Sequence, residues 1–181
     1  GWPLEGASDH GVSEAIYLAD PDGNGLELYA DRPREQWPMQ NGRLAMVTRP
    51  LDVRNLLAEL AKAPLRSDGP VLDPATRIGH VHLRVSSLER AETFYHGLIG
   101  FEVTQRNYPG ALFLAAGGYH HHLGVNVWSS AGGPPAPPDC CGLLDFAILL
   151  PDDAARAVRA RLEEAGVDLE PCDEGWRARD G

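Results

Sequence analysis

The stretch Ile78-Gly79-His80-Val81-His82-Leu83-Arg84-Val85 decides how the chain is read. Its alternation predicts a strand over 78–85, and a strand sends every second side chain to one face, so His80 and His82 share a side. Ser86 or Ser87 then offers a helix cap with Glu89 close behind. Leu88, Ala91, Phe94, Tyr95 and Leu98 form the inner face of a helix over 87–97, which Gly100 stops. Phe101-Glu102-Val103-Thr104 begins a second strand. Pro109-Gly110 turns into Ala111-Leu112-Phe113-Leu114-Ala115, and Gly117-Gly118 turns again into a strand over 120–128. The order is β-α-β-β-β.

That order begins again after a Pro/Gly spacer at 132–138. Gly142 to Leu150 reads as a strand, Asp152 or Asp153 caps a helix through Ala165, Gly166 stops it, and two more strands follow at 167–170 and 176–180. At the other end, Glu14 to Asp20 and Leu26 to Ala30 form a hairpin around Pro21-Asp22-Gly23-Asn24-Gly25. Asp20, Asp22 and Asn24 resemble a calcium loop but lack the glutamate at its twelfth position, so they read as a turn. Gly1-Trp2-Pro3-Leu4-Glu5 lines up with Gly166-Val167-Asp168-Leu169-Glu170, and Ala15 to Asp20 with Gly175 to Asp180.

The expected organisation is therefore the C-terminal half of a first-domain module (1–30), an interdomain connector (31–77), and a second domain (78–181). The second domain holds a complete module (78–130) and an incomplete one (142–181). The connector carries one helix, from about Leu51 to Ala61, with Leu56, Leu57 and Leu60 on one face, and runs as a loop over 66–77. Repeats cut at both ends predict a fragment of a longer protein, or a chain whose ends complete one another. In the second case Leu26 to Ala30 pairs with an open sheet edge, within the chain or in a strand-swapped homodimer.

Composition narrows the function. The 181 residues carry a formal net charge of −10, and Lys62 is the sole lysine, which argues against nucleic acid or an anionic membrane as partner. No apolar run approaches the ~18 residues of a spanning helix. Three cysteines, two of them adjacent at Cys140-Cys141, match neither a disulfide framework nor a zinc ribbon. The expectation is a reduced, cytoplasmic protein.

Five of the seven histidines, His80, His82, His120, His121 and His122, sit on two of the predicted strands. Histidine is the commonest metal ligand and the usual acid/base group near neutral pH. Their crowding points to a polar, metal-capable floor in a β-rich cavity; for any one ring, simple exposure on a sheet surface is the competing reading. By alternation His120 and His122 share a face and His121 points away. Tyr95, Phe94 and Phe113 read as packing, His96 as surface, and His10 as loop surface or pocket rim.

Three stretches resemble the vicinal-oxygen-chelate superfamily of glyoxalases, extradiol dioxygenases and antibiotic-binding resistance proteins. They are Gly79 to Val85 running into Ala91-Glu92-Thr93-Phe94-Tyr95, then Gly100-Phe101-Glu102-Val103, and Asp20 to Leu28. Gly6 to Leu18, and Pro109 to Leu114 continuing to Tyr119-His120-His121-His122-Leu123-Gly124, resemble two-domain, catechol-2,3-dioxygenase-like members. The resemblance implies an α+β fold with mixed sheets of βαβββ modules. It implies a metal-dependent extradiol ring-cleaving dioxygenase acting on a catechol-type substrate and O₂, with a divalent metal held by two histidines and a carboxylate: Fe(II) or Mn(II), with Zn(II) and Ni(II) as alternatives. His80 lies where the family's first-strand ligand lies, and Leu26-Glu27-Leu28 matches the motif bearing the glutamate ligand. Alignment of Gly25-Leu26-Glu27-Leu28 with His120-His121-His122-Leu123 makes His122 the choice within the triplet. His82 and His120 then suit acid/base roles. Where a histidine usually opens the fourth module, this chain has Leu144-Asp145-Phe146. The competing functions are a glyoxalase-like isomerase or epimerase and a non-enzymatic small-molecule-binding module. In this chain alone neither domain holds a complete triad, so the dioxygenase reading attaches to the parent protein.

Overall fold

The structure, a computed structural model, describes residues 1–62, 72–137, 139–173 and 175–180. These fall into two compact units, Gly1–Gly79 and His80–Gly181. Part of the loop expected over 66–77 lies outside the described residues.

In the first unit, β1 (Gly6–Asp9), β2 (Ser13–Ala19) and β3 (Gly25–Asp31) form an antiparallel meander. The expected hairpin is present, in register from Ser13↔Asp31 to Ala19↔Gly25. Its tip is held by the Asp20 carboxylate, which accepts from the amides of Asp22 and Asn24 and from the Asn24 side chain. The Asn24 side-chain bond is the main reason the Asp20 carboxyl lies below its ordinary value. β4 (Met39–Gln40) and β5 (Arg43–Leu44) form a tight hairpin that the connector reading of 31–77 missed. Its loop is Asn41-Gly42 with φ of 52° and 74°, the left-handed pair that suits a two-residue turn between twisted strands. β6 (Arg49–Pro50) joins the outer side of β1. Among the described residues β3 pairs only with β2, so the within-chain edge pairing expected for Leu26 to Ala30 is not made. The connector helix α1 (Val53–Leu60) forms behind an Asp52 cap, but Leu57 and Leu60 are exposed. Its periodicity marks a helix and not a docked one.

The second unit contains the complete β-α-β-β-β motif: β7 (Val81–Arg84), α2 (Leu88–Glu92), β8 (Glu102–Gln105), β9 (Ala111–Ala115) and β10 (Leu123–Asn126). The Ser87 hydroxyl caps α2 by accepting from the Arg90 amide, and the helix widens into a π-type turn over Thr93–Ile99. The sheet order is β7-β10-β9-β8, and the first and last strands run parallel. Parallel neighbours need a long crossover, and here it carries the helix. One face of the sheet packs Leu112, Leu114, Leu123 and Val125 against Ala91 and Tyr95, with Val81 and Leu83 beside them.

The tail departs from expectation. Residues 142–150 form no strand, and Leu144 and Leu149 are 95% and 89% exposed. In the complete motif the first strand is paired by the fourth. Among the described residues nothing fills that place for 142–150, and an unpaired segment has no ladder to hold it extended. The expected three-stranded piece is reduced to the hairpin β11 (Glu170–Cys172) with β12 (Gly175–Arg177). The helix does form, as α3 (Asp152–Glu164), with Asp152 and Asp153 in its first turn and not as caps. It is attached to the motif by Arg161, whose guanidinium donates to the carbonyls of Leu98 and Ile99. Near the chain end Asp180 accepts from the Tyr95 hydroxyl at 2.6 Å. Burial, reinforced by this carboxylate, pushes that hydroxyl well above its ordinary value. No helix among the described residues is long and apolar enough to cross a membrane.

Leu114 is 0% exposed and Leu28 58%. Leu114→Ala is expected to cost about 2–5 kcal/mol, as for a fully buried leucine, and Leu28→Ala less than about 0.5 kcal/mol. Urea unfolding of the two variants checks the difference.

Candidate active site

The sheet face opposite α2 carries the site. Register places His82, Gly124 and Phe113 side by side across β7, β10 and β9. Gly124 is needed there, because a Cβ would stand 3.0 Å from the His82 ring, closer than an undisturbed contact allows. His82 lies 6.1 Å from Phe113 and 5.8 Å from Trp128, and Tyr108 lies 6.0 and 6.1 Å from the same two rings. Four rings thus form a closed frame, and the Trp128 indole is fixed by donating to the Pro109 carbonyl at 2.9 Å. A depression of about 560 Å³ elsewhere in the unit is lined by Glu89, Glu92, His96 and Arg106 among others, and by none of the five clustered histidines.

The histidine triplet does not follow strand alternation. β10 begins at Leu123, and His120 to His122 occupy bent backbone before it. This corrects the expectation that His121 points away from the open face, while the rings of His120 and His122 both lie against Tyr119. A two-residue period holds only where the backbone is extended. His120 and His121 are buried, at 0% and 8% exposure. The His121 ring lies 4.3 Å from that of His80 and 5.0 Å from Phe113, on the open face. The Nδ1 atoms of His120 and His121 are 2.8 Å apart, and His120 also lies against Tyr119. The Thr104 hydroxyl donates to the His120 carbonyl at 2.7 Å and holds the bend.

His122 takes a different setting. Its backbone carbonyl accepts from the Val81 amide, which keeps it level with His80. Its ring stacks near Tyr119 at 4.8 Å and Phe101 at 6.4 Å, and its Nδ1 accepts from the Ala116 amide at 3.2 Å. Although part of the residue is exposed, burial of the ring lowers its pKa, and the charge of His80 adds to the effect.

Of the residues singled out in the sequence, His80, His82, His120 and His122 gather in the second unit. Glu27 lies on β3 in the first, where the Tyr17 hydroxyl donates to its Oε1 at 3.3 Å. Sequence reading missed what surrounds it. His10 Nδ1 donates to the Val47 carbonyl at 2.9 Å, and its Nε2 is 2.5 Å from the Tyr17 hydroxyl. His10 directly follows β1, and Tyr17 and Glu27 lie on β2 and β3, so only pairing register could have joined them. Asp145 forms an exposed ion pair with Arg177. Among the described residues no three His, Cys, Asp or Glu side chains group so as to hold a metal ion. The second unit fits a first-row divalent metal in donor chemistry, through its imidazoles, but not in number.

An imidazole depressed in the folded state binds fewer protons than in the unfolded chain. Its share of stability is therefore lost as pH falls below its ordinary value of 6.5. His80→Gln removes a neighbouring charge and is expected to move the His122 titration upward, measured by NMR across pH 4 to 8 (a range of roughly two units either side of a histidine's usual pKa).

Residues 77–181 match the family model of the Glyoxalase/Bleomycin resistance protein/Dioxygenase superfamily. Over 182 aligned residues, 97% of the chain, the sequence is 42% identical to a catechol-2,3-dioxygenase of Bacillus subtilis (strain 168), and it spans 61% of that relative's length. The crystal structure of SMU.1112c is 28% identical, covering 54% of this chain and 80% of that one, at a TM-score of 0.41 that has no bearing on the arrangement. With its β-α-β-β-β sheet and this match over more than half its length, the chain belongs to the glyoxalase/bleomycin resistance/dioxygenase superfamily and has its α+β vicinal-oxygen-chelate fold.

Proposed function

We propose that this chain is part of a metal-dependent extradiol dioxygenase that opens a catechol-type ring with O₂. The observation that carries the reading is the gathering of His80, His82 and His121 on a sheet face walled by Tyr108, Phe113 and Trp128, with His120 and His122 in the bend beside them. The similarity to a catechol-2,3-dioxygenase supports it. His80 and an imidazole of the triplet, His122 in the sequence reading, would hold the metal. The metal, Fe(II) or Mn(II) before Zn(II) or Ni(II), supplies the redox and charge-shifting chemistry that spin-allowed reaction with O₂ needs.

The chain's own groups have separate tasks. The rings of Phe113 and Trp128 offer a planar substrate edge and face contacts that fix its plane. His82, exposed beside them, is placed to take a proton from a substrate hydroxyl. His120 is buried, with its Nδ1 facing that of His121 at 2.8 Å. In extradiol cleavage the ring C–C bond next to the hydroxyl pair breaks, and both atoms of O₂ enter the product.

The lack of a three-residue ligand group among the described residues favours a second reading, a cleft that binds a small aromatic molecule without turnover. Oxygen-electrode and absorbance assays with catechol and anaerobically added Fe(II) separate the two. Stoichiometric O₂ uptake with a ring-opened product is expected, and His82→Ala should lower its rate by about 10²–10⁴-fold, the usual range for a lost acid/base group. Saturable catechol binding with neither uptake nor product would establish the binding module. Gel filtration at several concentrations tests the expected homodimer.

A further inference from the structure

We infer that the aromatic ring bound on the open sheet face carries a negatively charged substituent, and that Arg84 is the specificity-determining residue that reads it. The inference rests on the aromatic-substrate reading proposed above and deepens it. β7 alternates in burial, with Val81 and Leu83 turned into the core and His82 and Arg84 exposed on the other side. Arg84 therefore stands one strand repeat beyond His82, roughly 6.6 Å along β7. Its neighbour in register on β10 is Asn126, as Gly124 is that of His82. Asn126 is buried, its Oδ1 accepts from the Trp128 amide at 3.2 Å, and the Trp128 ring reaches to 5.8 Å from that of His82. Arg84 thus borders the frame of His82, Phe113, Tyr108 and Trp128.

Charge is unevenly placed on this face. Within the four strands the carboxylates and cationic side chains are Glu102 and Arg84 alone. Glu102 pairs with Ala115, two positions from Phe113 on the same face. The register Val81↔Leu123↔Leu114↔Val103, read one residue back, sets Glu102 level with His80 on the far edge, so Arg84 occupies the opposite corner. Among the described residues the Arg84 guanidinium makes no hydrogen bond or ion pair, which leaves its donors open to a ligand. A guanidinium is a planar fork of N–H groups that fits a carboxylate bidentately. A ring lying against Phe113 and Trp128 with its hydroxyls toward His80 sends the substituent on its far side toward Arg84. An ionised carboxylate is stabilised there and an ammonium is repelled. Turned the other way, the same carboxylate meets Glu102, so the two charges also fix the direction of the ring. The net charge of −10 opposes capture of an anion from a distance. At about 0.1 M salt, exposed charges beyond roughly 10 Å are largely screened, so the nearby guanidinium decides the preference. The ligand class is a single-ring dihydroxyaryl carboxylate.

The test compares three probes of one ring and different charge: catechol, 3,4-dihydroxybenzoate and dopamine. Their affinities for the full chain are measured by anaerobic calorimetric titration at neutral pH and low salt, with no metal added, so that no turnover is required. Dihydroxybenzoate is expected to bind about 3–10-fold more tightly than catechol, less than for a buried charge pair because Arg84 is exposed. Dopamine should bind more weakly than either. Arg84→Gln should bring dihydroxybenzoate and catechol to within about 2-fold of each other by weakening the acid, and Arg84→Glu should turn the order in favour of dopamine. Trp128→Ala should weaken acid and catechol alike, as a shared ring site requires. Arg84 and Trp128 are both exposed, so these variants leave the core intact. Equal binding of the acid and catechol by the wild-type chain overturns the inference, and so does binding of none of the three probes. An acid preference that survives Arg84→Gln, or binding indifferent to Trp128→Ala, overturns it as well. The dioxygenase reading is decided separately, by O₂ uptake after Fe(II) is added. Acid-selective binding without uptake sinks that reading and keeps this one, and uptake without acid selectivity does the reverse.

Discussion

The parallel ladder between β7 and β10 is the constraint on which the second unit depends. Val81↔Leu123 through Arg84↔Asn126 joins the first strand of the motif to its last. A parallel pair cannot close through a tight turn, so the chain between must travel out, pack α2 on one face and return through β8 and β9. One alternation then separates two chemistries. The side chains of Val81, Leu83, Leu123 and Val125 go to the core, and His82 and its neighbours go to the open face. The same ladder sets His80 and His122 level, with the Val81 amide on the His122 carbonyl.

Much of this was legible because it was written in local chemistry. Ser87 caps, Gly100 stops, the strand at 81–84 alternates with the period that a one-sided sheet demands, and 111–115 is a continuous apolar run bounded by turns. The hairpin of β2 and β3 follows from its turn residues, and the Asp20 carboxylate shows why those residues suit it. The superfamily was legible in the same stretches, and the match over residues 77–181 bears it out.

What failed had causes that a linear pattern does not contain. Strand periodicity was extended three residues too far, into a bend made by long-range bonds from Thr104 and Ala116. Residues 142–150 have strand composition, but a strand exists only against a neighbour. Leu57 and Leu60 have the spacing of a buried face and lie exposed. The Asn41-Gly42 hairpin is a miss of another kind, since the dipeptide is a strong turn signal in its own right. For the site, sequence located the histidines but not their neighbours, because ring contacts between His80 and His121 depend on the bend and not on spacing.

The attachment of α3 has a consequence for motion. Of its thirteen residues only Leu162 is fully buried, and among the described residues its polar ties to the motif are the two bonds from Arg161 to the end of the π-type turn. A helix with one fully buried side chain and one guanidinium tie has a small opening free energy of its own, well below that of the sheet it rests on. Its amides should exchange with solvent through local detachment, while those of β9 and β10 wait for the whole unit to open. The unit therefore behaves as a rigid four-stranded frame with a loosely latched helix.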